Sequence, residues 1–226
     1  MAIDSTPARD PEEKHESLIQ VIRRSPPLLL LMVLLADIIL SPMIGGWATT
    51  ALNVTVILGC LGIVANDRRG LKIGLWLTVP AILFIIAGEV TGDRRVNLAA
   101  YPFTLLLYLH IIRLMFKTIF RTKVVTLDTI GLALCTYVLL GVLWVLFYIP
   151  VLLYDQNAFV FANLPPDGDV MKEMTYFSYV TLTTLGYGDV APVSPLARGL
   201  AVTEALTGVL FLAVLISRLV GSFARR

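Results

Sequence analysis

The chain is 226 residues long, 57% hydrophobic and 15% charged, with a net charge of +2 at pH 7 and a mean hydropathy of +0.82. A soluble domain averages about 45–50% apolar and about 25% charged residues, so this balance excludes an ordinary soluble enzyme, and the near-neutral charge points to no nucleic-acid partner. What remains outside the apolar windows is divided among two tails and five connections, each shorter than the roughly 50 residues of a separate soluble domain. That argues against a cytosolic ligand-binding module, and it implies no soluble partner.

Six windows, 28–44, 48–65, 71–90, 98–116, 129–154 and 199–220, are nearly free of charge. A helix needs roughly 20 apolar residues to cross about 30 Å of hydrocarbon, so each window reads as one crossing, the shorter ones rounded off by interfacial residues such as Trp47. Residues 1–26 form a cytoplasmic N-terminal tail. Over Glu16 to Arg24 a short interfacial helix and a partly disordered tail ended by Pro26-Pro27 fit equally. Arg23-Arg24 before an apolar core also allows a signal peptide over 23–48, although Glu12, Glu13 and Glu16 make a poor n-region. Cys60 and Cys135 fall inside apolar windows and read as buried thiols rather than as a disulfide or metal framework.

Positive residues in short connections stay on the cytoplasmic side. With the N-terminus inside, Arg9, Lys14, Arg23, Arg24, Arg68, Arg69, Lys72, Lys117, Arg121, Lys123, Arg218, Arg225 and Arg226 are cytoplasmic, and only Arg94, Arg95, Lys172 and Arg198 are outside. The expected protein is therefore multi-pass in the cell membrane with both termini cytoplasmic.

Between the last two crossings, residues 155–198 do not read as a simple loop. Asp155 to Asp169, with Pro165-Pro166 and Gly168, reads as an irregular exposed turret. Met171 to Thr183 predicts a helix too short to span, hence re-entrant. Thr184-Leu185-Gly186-Tyr187-Gly188-Asp189 follows.

These residues resemble the potassium-channel superfamily, whose selectivity filter is a T-x-G-Y-G loop after a short pore helix, completed by four copies around one axis. The likeness includes the run Tyr176-Phe177-Ser178-Tyr179, the Thr183-Thr184 pair, Asp189, Pro192 and a final crossing with a central glycine. It is strong over 129–221 and only architectural over 28–116. The resemblance implies an all-α integral membrane protein: six transmembrane helices plus a re-entrant pore helix and filter loop, in a four-fold symmetric homotetramer among membrane lipids.

It further implies that K+ sheds its water for the carbonyls of Thr184, Leu185, Gly186 and Tyr187 and the Thr184 hydroxyl, with Gly186 and Gly188 supplying φ > 0. Leu185 stands where Val or Ile is commoner. Tyr187, Tyr176, Phe177 and Tyr179 take the places of the family's aromatic cuff, Tyr176 being placed to donate to Asp189 at the outer mouth, although the usual tryptophan pair is absent. No catalysis and no cofactor other than the permeant ion is implied.

Gly208 matches the family's inner-helix hinge, and Gly208, Leu212, Ile216 and Val220 recur at i+4 as a candidate apolar gate; close helix packing is the other reading of Gly208. Glu204, one turn earlier, is expected behind the pore helix, bonded to Thr175, Ser178 or a backbone amide, with a role in pH-sensitive opening as the sharper alternative.

The resemblance divides the chain into the tail 1–26, a four-helix voltage-sensor-like domain 27–116, an interfacial linker helix 117–127 and a pore domain 128–226. Within the last lie an outer helix 129–154, a pore helix 171–183, the filter 184–189 and an inner helix 199–221. Voltage sensors carry arginine at every third position of the fourth helix, whereas this one has only His110 and Arg113 before Lys117 and Arg121. Weak or absent voltage gating follows. Asp37, near mid-depth in the first helix, is expected to pair with His110 or Arg113, or with His110 to sense protons. The function expected is passive, K+-selective conduction; a non-conducting sensor or regulatory subunit and a K+ transporter subunit are the alternatives.

Overall fold

The computed structural model describes residues 25–44, 47–63, 67–92, 94–122, 124–162 and 170–223. The expected interfacial helix of the tail, the middle of the turret and the side chain of Trp47 lie outside the described residues. In chain order come α1 (Pro26–Leu40), α2 (Trp47–Ile63), α3 (Arg68–Thr91), α4 (Arg94–Arg121), α5 (Leu127–Tyr154), β1 (Phe159–Phe161), α6 (Val170–Leu182), β2 (Val190–Pro192) and α7 (Pro195–Phe223).

Segments of α3, α4, α5 and α7, namely Arg68–Gly88, Leu98–Arg121, Leu127–Tyr154 and Pro195–Ser222, are long and apolar enough to cross a membrane. The apolar helices α1 and α2 are shorter, at 15 and 17 residues, or about 22 and 25 Å at 1.5 Å per residue.

The helices begin and end where local chemistry dictates. Asp67 caps α3 by accepting from the Gly70 amide at 3.1 Å, and Gly92, with φ +65°, ends it in the left-handed conformation that glycine adopts at no steric cost. Thr126 and Thr129 form a reciprocal capping box at the start of α5. Pro195 opens α7, where a missing amide hydrogen costs nothing.

The buried centre is α5. Cys135, Leu139 and Tyr148 are fully enclosed, with α1, α4, α6 and α7 all packed against this helix. Cys135 donates to the Pro27 carbonyl, and both cysteines are buried and free.

Three features differ from the sequence expectation. The first part of the linker expected as a separate helix over 117–127 is instead the last turn of α4, because nothing between Phe116 and Arg121 breaks a helix; residues 124 and 125, before the Thr126 cap, are not helical. The turret contains a strand: Phe159, Val160 and Phe161 pair antiparallel with Pro192, Ala191 and Val190, adding a two-stranded ribbon to elements that are otherwise helical among the described residues. The inner helix runs from Pro195 without interruption through Gly208 to Phe223.

Candidate functional site

The short helix α6 is fastened to its neighbours along its whole length. Ser178 Oγ donates to the Gly141 carbonyl at 2.8 Å and contacts Glu204 Oε1 at 2.5 Å. Tyr148, from α5, donates its hydroxyl to the other oxygen of Glu204. Glu204 is wholly buried, so these two hydroxyls stand in for the water that a carboxylate loses on burial. Ser178 was legible as a partner from the sequence. Tyr148, 56 residues away in the chain, was not.

Aromatic contacts complete this wall. Phe177 packs edge-on against Tyr148 and Phe159, with centroids 5.4 Å from each. Tyr179 donates to the Val138 carbonyl at 3.1 Å, and its ring fills the space where a Cβ on Gly141 would sit, 2.4 Å from Cε1. Phe177 and Tyr179 thus turn toward α5. Among the expected cuff residues Tyr176 meets Asp189 directly, while the ring of Tyr187 is 68% exposed.

At its C-terminal end α6 meets two helices at one atom. The Leu182 carbonyl accepts from Tyr137 Oη at 3.1 Å, and a Cβ on Gly208 would lie 2.1 Å from the same oxygen. Gly208 is therefore a point of close helix approach.

The loop beyond is hung from α6 by its amides: Thr184 N donates to Thr181 O, and Leu185 N to Val180 O, both at 2.9 Å. Its backbone alternates. Thr184, Gly186 and Gly188 have φ of +62°, +57° and +81°, whereas Leu185 and Tyr187 do not enter the positive region. The two glycines were expected there. Thr184 was not, since a non-glycine residue at φ > 0 is uncommon and costs of order 1–3 kcal/mol, a strain that clusters at functional sites. Thr184 to Gly188 are all exposed.

The loop closes on Asp189. Tyr176 Oη donates to its Oδ2 at 2.7 Å, the Val190 amide to Oδ1 at 3.1 Å, and the Ala162 amide to its backbone oxygen at 2.8 Å. The Tyr176 hydrogen bond holds the Asp189 carboxyl below the usual range and pushes the phenol up to about 12. Thr183 Oγ1 turns back to the Tyr179 carbonyl at 2.6 Å. Arg198 Nε donates to the Pro192 carbonyl at 3.2 Å, fixing the ribbon to the start of α7.

Below Gly208 on α7, Leu212, Ile216 and Val220 are 39%, 58% and 62% exposed. In the first four helices, His110 Nε2 lies 2.8 Å from the Gly70 carbonyl, and Arg113 is exposed. Asp37 pairs with neither, its Oδ1 being buried without a hydrogen bond among the described residues. Lys117 instead pairs with Asp67 at 2.5 Å, which holds that carboxyl down at about 2.

A short helix and a loop of alternating φ thus lie between two long apolar helices, an arrangement consistent with an ion-channel domain. Residues 133–225 match the family model described as "Ion channel", which supports the resemblance to the potassium-channel superfamily. Over 50 residues the chain is 46% identical to the inward rectifier potassium channel Kirbac3.1 of Paramagnetospirillum magnetotacticum, covering 22% of this chain and 17% of that protein. Over 57 residues it is 40% identical to Protein LctB of Geobacillus stearothermophilus, covering 25% and 42% respectively. The matched segments thus span less than half the length of either relative. No solved structure matches the chain.

Proposed function

We infer that this protein is a potassium-selective channel that conducts K+ passively and responds weakly or not at all to voltage. The observation that carries the reading is the positive φ at every second residue of the loop, Thr184, Gly186 and Gly188. Alternating the sign of φ turns successive carbonyls toward one side, as a stack of oxygen cages requires; four copies around an axis would complete each cage. Thr184, Leu185, Gly186 and Tyr187 are the residues assigned to the ion, with Gly188 permitting the last turn.

Homotetramer formation is supported by the exposed Leu185 and Tyr187 within the loop and by the exposed face of α7, which in one copy alone would leave apolar surface and ion ligands unpaired. Leu212, Ile216 and Val220 are assigned to the inner gate. Six crossings accommodate α1 and α2 by local thinning of the bilayer and place both termini in the cytoplasm.

The test is a planar-bilayer recording of the purified protein under a K+/Na+ gradient. A reversal potential near the K+ equilibrium value is expected. A current that follows the Na+ gradient equally, or no current at any voltage, overturns the reading.

A further inference from the structure

The hydroxyls of Thr175 and Thr183 turn back onto carbonyls of their own helix, those of Met171 at 2.8 Å and Tyr179 at 2.6 Å. Ser178, on the same helix, reaches outward instead. Its Oγ lies 2.8 Å from the Gly141 carbonyl of α5 and 2.5 Å from Glu204 Oε1 of α7, and a serine hydroxyl has one proton to give.

Counting protons decides who donates. A carbonyl can only accept, so the hydrogen in the contact with Gly141 belongs to Ser178. The 2.5 Å contact then needs a hydrogen of its own, and Glu204 is left to supply it. Were the serine proton turned toward Glu204 instead, the Ser178 and Gly141 oxygens would face each other at hydrogen-bond length with no hydrogen between them. The second oxygen of Glu204 accepts from Tyr148. Each proton is thus used once, and the bonds run one way round a closed ring: Tyr148 of α5 to Glu204 of α7, Glu204 to Ser178 of α6, Ser178 to Gly141 of α5.

The surroundings agree. Glu204 is wholly buried and makes no ion pair among the described residues. The titratable side chains that face it are Tyr137 and Tyr148 of α5 and Tyr179 of α6, none of them a cation. An ionised carboxyl sealed there would be costly without a positive partner, whereas a neutral acid keeps one donor and one free acceptor. We propose that Glu204 carries its proton and acts as a hydrogen-bond donor from the inner helix to α6, a positioning residue for the loop that hangs from α6. The place of the proton rests on this geometry alone; its consequence for ion selection rests on the channel reading.

Infrared difference spectroscopy of the purified full chain near neutral pH, wild type minus Glu204→Gln, reads the proton without recording current. The carbonyl stretch of a protonated carboxyl is expected. Tyr148→Phe should move that band to higher wavenumber, because the Glu204 carbonyl oxygen loses the hydroxyl from which it accepts. A carboxylate band in place of the acid band overturns the proposal, and so does an acid band that Tyr148→Phe leaves where it was.

Bilayer recordings test the positioning role. Glutamine can still donate to Ser178 and accept from Tyr148, so Glu204→Gln should keep the wild-type K+/Na+ permeability ratio. Glu204→Leu fills similar space without either group and should lower the ratio about fivefold, the equivalent of one ordinary hydrogen bond. Equal impairment of the two variants overturns the positioning role. A protein that shows the acid band and passes no current refutes the channel reading and leaves the proton where it is, so the two failures are told apart.

Discussion

The Leu182 carbonyl occupies the space in which a side chain on Gly208 would begin, 2.1 Å from where its Cβ would lie. Because Leu182 is the last residue of α6, the inner helix bears directly on the base of the loop that follows. Gly208→Ala is therefore expected to push α7 off α6, at a cost of about 1–3 kcal/mol for overpacking. Gly221, on the same helix with nothing within 4 Å of its Cβ position, is the control: Gly221→Ala should change stability by less than about 0.5 kcal/mol. Thermal unfolding in detergent checks both, and equal melting temperatures for the two variants would refute the close-contact role.

Glu204 ties three elements together through Ser178 on α6 and Tyr148 on α5. Tyr148→Phe removes one donor and leaves a buried carboxylate oxygen unsatisfied, for which about 1–3 kcal/mol of destabilisation is expected. In a Glu204→Leu background the same substitution has no acceptor to orphan, so its effect should shrink below about 0.5 kcal/mol. A double-mutant cycle on unfolding free energies reads the coupling, and additive effects would mean that the two side chains act independently.

The loop and its supporting helix were legible because their chemistry is contiguous: Tyr176 to Asp189 carries the aromatic run, the threonines and the glycines within one short stretch. Glu204 was visible as an anomaly because an acid in an apolar helix needs a partner, and Ser178 lies on the nearest element. Tyr148 and Tyr137 were hidden, since a tyrosine among apolar residues gives no sign of which distant group its hydroxyl will reach. The β1–β2 ribbon was missed because three residues on each side of a pore loop carry too little alternation to stand out. Asp37 was misassigned to His110, whose ring instead finds the Gly70 carbonyl, a backbone group that sequence pattern does not display.

Tyr176 and Asp189 link the middle of α6 to the C-terminal end of the loop across 2.7 Å. The hydrogen bond lowers the Asp189 pKa below its ordinary 3.8, so its stabilising effect is present above pH 3.8 and is lost as pH falls through the lowered value. Tyr176→Phe should raise the titration of Asp189 toward 3.8. If Asp189 concentrates cations at the mouth, inhibition of current by external acid should then begin at higher pH in the variant. Superimposable acid-inhibition curves would show that the hydroxyl does not govern this carboxylate.

Voltage is expected to act weakly on opening. One charge crossing the full field contributes about 2.3 kcal/mol per 100 mV, and steep gating takes three or four per subunit. Lys117 is fixed to Asp67 at 2.5 Å, and His110 is engaged with the Gly70 carbonyl at 2.8 Å. Arg113 alone is then available on the apolar length of α4, and a long side chain near a helix end is expected to reach the interface rather than sample the field. Open probability between −100 and +100 mV should change by less than about threefold, far short of the roughly fiftyfold per 100 mV that even a single charge per channel traversing the membrane would produce. Arg113→Gln should leave that slope unaltered, and a steep slope abolished by the substitution would identify Arg113 as a gating charge.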